Sequence, residues 1–67
     1  MNHRAVQMLT KTGFTALFWT DLVKARATNP KITHQQVYEA METEYQAEFN
    51  QRRYANFQSF LRRRDEK

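Results

Sequence analysis

A single glycine, Gly13, and a single proline, Pro30, leave this chain almost none of the residues that tight turns require. An all-β fold of this size needs turn signals roughly every 8–12 residues, so sandwiches and barrels are excluded. What remains is a helical chain with few, short connections.

Length sets the next limit. Sixty-seven residues make one domain, and a chain this short buries only about 60% of the surface its unfolded form exposes. Small domains often make up the difference with disulfides, a metal or a partner. There is no cysteine, which removes disulfides and thiolate zinc sites. The compensation comes from nine aromatic residues, all between Phe14 and Phe60. Each can bury roughly 150–250 Å², so this stretch is the expected core. No apolar run approaches the roughly 20 residues of a membrane span, and Met1 to Leu9 lacks the continuous apolar segment of a signal peptide. A soluble, cytoplasmic protein with no membrane contact is expected.

Apolar spacing places the helices. Phe14, Phe18, Leu22 and Ala25 recur at helical intervals, and Asn29-Pro30 ends that helix because the residue before proline is pushed out of the α region. Thr33 with Gln36 three residues later is a capping box. Val37, Met41 and Tyr45 follow it as one stripe, with Tyr38 alongside. Asn50 is the expected N-cap of a last helix ending near Arg64, with Tyr54, Phe57 and Leu61 as its apolar stripe and Phe57 at its centre. Thr10 to Gly13 reads as a break. The prediction is an all-α, small three-helix bundle of helix-turn-helix type over 13–64, preceded by an arm or short extra N-terminal helix in 1–12 and followed by a tail at 65–67.

Charge is segregated along the chain. Residues 1–32 carry net +4, residues 33–49 net −4 and residues 50–67 net +4. If the last helix begins at Asn50, then Arg52, Asn56, Ser59 and Arg63 fall on one face. Arginine pairs with guanine, asparagine with adenine, and serine with either, so this face suits a major groove. Arg53, Arg62, Arg64 and Lys31 would then contact phosphates. The element order over residues 14–64, with an aromatic core and a basic third helix, resembles the tri-helical Myb, SANT and MADF modules. The tryptophan spacing of Myb repeats and a turn glycine are absent, and no family is assigned. The first functional expectation is therefore a small nucleic-acid-binding accessory regulator. The competing account of the same arginines is solvation, ion pairing and complementation of the helix dipole.

The first long helix supports a different expectation. Ala16, Trp19 and Val23 form a second apolar stripe about 100° from the first, and a helix apolar over that much surface is central in its fold or covered by a partner. Tryptophan is enriched at binding hot spots. A protein-interaction module or small inhibitor working through these three residues, or a homodimer, is the alternative to nucleic-acid binding. Catalytic groups do not assemble. His3 and His34 have no metal-ligand spacing, and His34, in a first helical turn, is expected to face solvent. Glu39 and Glu42 read as a solvated pair. No enzyme activity, cofactor, metal or small-molecule substrate is expected.

Overall fold

The computed structural model describes residues 3–65, and among these there is no strand. Four helices follow one another: α1 (His3–Gln7), α2 (Lys11–Thr28), α3 (His34–Phe49) and α4 (Phe57–Arg64). Helices α2 and α3 form the main packed pair, and α1 and α4 each lie against both. This is the expected small all-α bundle, with the N-terminal segment helical from His3 to Gln7.

Local sequence explains most of the boundaries. The Thr33 hydroxyl accepts from the Gln36 N–H at 3.1 Å, and the Gln36 side chain accepts from the Thr33 N–H at 2.9 Å. This is the capping box expected for α3. Asn29 ends α2, its N–H reaching Ala25 O at 2.8 Å. Helix α2 starts earlier than expected, because Thr10 is an N-cap whose hydroxyl accepts from Gly13 N–H at 2.9 Å. Gly13 thus lies inside α2 rather than in a break. It is glycine for a steric reason: a Cβ there would fall on the Gln7 carbonyl oxygen at the end of α1.

The core contains Met8, Phe14, Phe18, Leu22, Val37, Tyr38, Met41, Tyr45 and Phe60. The stripes expected on α2 and α3 point inward as drawn, and Ala5 of α1 and Met8 just after it join the buried interior. The last helix differs from expectation. Phe60, fully buried, is its centre, stacked on Tyr38 at 5.0 Å and packed on Phe18 at 4.9 Å and Phe14 at 5.5 Å. Phe57 is only half-buried at the edge of this cluster, and Tyr54 precedes the helix.

Candidate functional site

The nucleic-acid face expected from the sequence depends on a helix running from Asn50, and that helix does not form. Asn50 instead closes α3 as a left-handed C-cap, with φ 60° and its N–H bonded to Gln46 O at 2.9 Å. Short polar asparagine tolerates this conformation better than most residues. The following segment is gripped at its backbone by Glu42. Its Oε1 accepts from Arg53 N–H at 2.8 Å, and its Oε2 accepts from Tyr54 N–H at 2.9 Å and from the Tyr38 hydroxyl. A carboxylate that takes two backbone N–H groups fixes them in place of helical carbonyl partners. Helix α4 therefore begins only at Phe57, with the Asn56 side chain as its N-cap, accepting from Ser59 N–H at 2.9 Å.

The consequences for the arginine stripe follow directly. Arg52 is off the helix and turns back to α3, with Nη2 at 3.6 Å from Glu39 and 3.9 Å from Glu42, and at 3.4 Å from the Tyr38 hydroxyl. Arg53 lies over the Tyr54 ring at 4.8 Å and donates to Met8 O at 3.2 Å. Asn56 is engaged as a cap, and Ser59 is half-buried. Arg62 and Arg63 are exposed on α4, and Lys31 is exposed in the α2–α3 connection. The four residues expected to share a base-reading face are thus divided between a loop, a cap and a helix, and only Ser59 and Arg63 remain one turn apart on α4.

Glu42 was expected to be solvated and is 1% exposed. Burial lifts the Tyr38 hydroxyl well above its ordinary pKa, and its hydrogen bond to Glu42 adds to the rise. Both carboxylate oxygens are occupied, so this buried acid is a structural clamp rather than a free acid–base group.

The other sequence-predicted residues come together. Ala16, Trp19 and Val23 are all exposed on one face of α2. Trp19 is 43% exposed and Val23 71%. A groove of about 410 Å³ runs beside Trp19, lined from α2 by Lys11, Thr12, Thr15 and Ala16 and from α4 by Arg63 and Arg64. The Arg64 guanidinium lies 5.2 Å from the Trp19 ring centre and 5.8 Å from that of Phe18. Its Nη1 is 3.0 Å from His34 Nδ1, and its Nε is 3.0 Å from Asp65. Arginine can only donate, so Nδ1 accepts and the imidazole proton sits on Nε2. Burial, and then the neighbouring Arg64 and Arg26 charges, depress the His34 pKa.

His34 is consequently half-buried against Phe18 and Trp19, at 5.6 and 5.7 Å, rather than facing solvent. The signal for this was in the last helix: Arg64 continues the inward row of Phe57, Phe60 and Leu61, so its stem had to lie on the core and its head had to find partners there.

Among the described residues, no group of three or more histidines and acids comes together to hold a metal, and no helix is long and apolar enough to cross a membrane. No protein-family model matches the chain, and no curated protein or solved structure shows significant similarity to it. The class that fold and surface define is a small four-helix domain with one half-exposed tryptophan face.

Proposed function

We propose that this protein is a non-enzymatic interaction module of the cytoplasm that binds another protein through the α2 face of Ala16, Trp19 and Val23. The observation that carries this reading is the pairing of Trp19 with Val23, two widely exposed apolar side chains one turn apart on one helix. Scattered exposed apolar residues need no explanation, but a tryptophan lining a groove, with a valine one turn further along the helix, forms a ready anchor. The arginines that favoured nucleic acid are, by contrast, partly used within the chain. Photo-crosslinking from position 23 tests the reading against position 47, which is exposed on α3. A discrete adduct is expected from 23 alone, lost in Trp19→Ala. Equal crosslinking from both positions, or none from 23, overturns it. An adduct of twice the chain mass identifies a homodimer.

Nucleic-acid binding stands as a second reading, supported by one feature: α4 carries Arg62, Arg63 and Arg64 and no acid. With Arg62, Arg63 and Lys31 as phosphate contacts, the logarithm of affinity would fall with the logarithm of salt at a slope of roughly −2 to −3. Discrimination between sequences would be weak, because the base-facing set is dispersed. Absence of duplex binding at low salt removes this reading.

A further inference from the structure

We infer that the Trp19 face docks an acidic segment of another protein carrying a large apolar side chain, an inference that rests on the protein-interaction reading above. Most acids among the described residues are already paired within the chain. Asp21 and Glu44 both hold Arg4. Glu39 and Glu42 face Arg52, and Asp65 faces Arg64. Among the described residues this leaves Glu48, near the far end of α3 and about 21 Å along the helix from His34 at 1.5 Å per residue.

Arg26 and Lys31 have no such counterweight among the described residues. Arg26 is exposed on α2, one turn beyond Val23 on the same face, and lies close enough to His34 to act on it together with Arg64. Lys31 is exposed three residues before His34. The apolar pair of Trp19 and Val23 is therefore flanked by Arg26 on α2 and by Arg64 on α4, the latter paired with Asp65. A partner that brings carboxylates and an apolar side chain satisfies both parts at once.

Two other occupants fit less well. In a two-fold dimer this patch would face itself, bringing Arg26 and Arg64 toward their own copies. A head-to-tail contact would need an acidic surface on the second copy, and among the described acids only Glu48 stands outside a pair with Arg4, Arg52 or Arg64. A nucleic-acid base stacks on an open aromatic face, but the Arg64 guanidinium already lies over the Trp19 ring. Val23 also gains nothing from phosphate.

The chain has one tryptophan, so its fluorescence reports on this face directly. The test is selection from a displayed random 16-residue peptide library against the intact protein. Trp19→Ala is one counter-selection, and Val23→Asp, at a position too exposed to threaten folding, is the second. Selected peptides are expected to be net negative, to contain a large apolar residue, to shift Trp19 emission and to bind about tenfold more weakly to Arg26→Glu. Peptides that need Trp19 but are neutral or basic, or are indifferent to Arg26→Glu, overturn the acidic partner and leave the interaction reading standing. Failure to enrich above both counter-selections overturns the interaction reading itself. Quenching of Trp19 by oligo-dT or duplex DNA, with no peptide selected, replaces the protein occupant with nucleic acid.

Discussion

Arg4 and Arg64 are both partly buried guanidinium groups, one near each end of the described chain, and their surroundings differ in kind. Arg4 projects from α1 and is bound by Asp21 on α2 and, at 2.6 Å, by Glu44 on α3. Three helices are tied by one side chain, and its charge is consumed in the process. Arg64 lies instead on two aromatic rings and a neutral imidazole, with the adjacent Asp65 as its counter-ion among the described residues. An arginine placed between acids of different helices closes a structure. An arginine resting on rings holds its helix in place yet leaves positive potential at the surface. On this comparison Arg4 serves the fold by joining three helices, and under the proposed reading the Trp19 end is the part that meets a partner.

If that division holds, substitutions inside should change stability and substitutions at the Trp19 end should not. The largest effects belong to Phe60 and Glu42. Phe60→Ala should cost about 3–5 kcal/mol, and Phe57→Ala, at the half-buried edge, about half as much. Glu42→Ala orphans two backbone N–H groups and the Tyr38 hydroxyl, and should cost about 3–5 kcal/mol. Urea denaturation followed by circular dichroism measures all three; equal losses at 57 and 60, or a Glu42→Ala variant as stable as the parent, would contradict the packing described.

Arg4→Ala comes next. Its side chain is one-third exposed, so screening limits the loss to about 1 kcal/mol, and the difference from the parent should shrink in 1 M salt. A loss that does not change with salt would mean that Arg4 acts through packing rather than charge.

A pH series separates the two arginines further. His34 is neutral beside Arg64, and its folded pKa lies below the ordinary value of about 6.5. The unfolded chain therefore takes up the proton first, so this contribution is complete above about 6.5 and is lost as the pH falls through the depressed folded value. The melting temperature should drop across that interval, and His34→Gln should reduce the drop. An identical profile in His34→Gln would place the acid sensitivity elsewhere.

The smallest effect is expected at Val23. Val23→Asp should leave stability within about 0.5 kcal/mol, as exposed substitutions do, while abolishing any partner contact on that face. A destabilised Val23→Asp variant would show that this residue belongs to the fold and would remove half of the anchor.

How much of this was legible in the sequence depends on the distance over which each element is decided. Helix α3 was readable because Thr33 and Gln36 cap it within one turn, and the end of α2 was readable from Asn29-Pro30. The inward stripes of both helices followed from spacing alone. The start of α4 was not, because Asn50 and Asn56 are equally good N-caps by residue type. What separates them is Glu42, which reaches across 11 and 12 positions to Arg53 and Tyr54. Without that contact the arginines of residues 52–63 fall into a helical face that the molecule does not have. The Trp19 face was legible for the opposite reason, since surplus apolar residues on one helix declare themselves locally. The burial of His34 required knowing that α4 ends beside the start of α3.

Gly13 limits how far a related sequence could drift and still encode this molecule. Most exposed positions of α2 could exchange freely, and the core could trade one apolar residue for another of similar volume. At position 13 any side chain would begin on the Gln7 carbonyl oxygen, so even alanine would force the end of α1 away from α2. A distant cousin should therefore betray itself less by overall identity than by a short grammar: a hydroxyl residue, then two free positions, then glycine, with a carboxylate 29 residues beyond that glycine to organise the approach to the last helix.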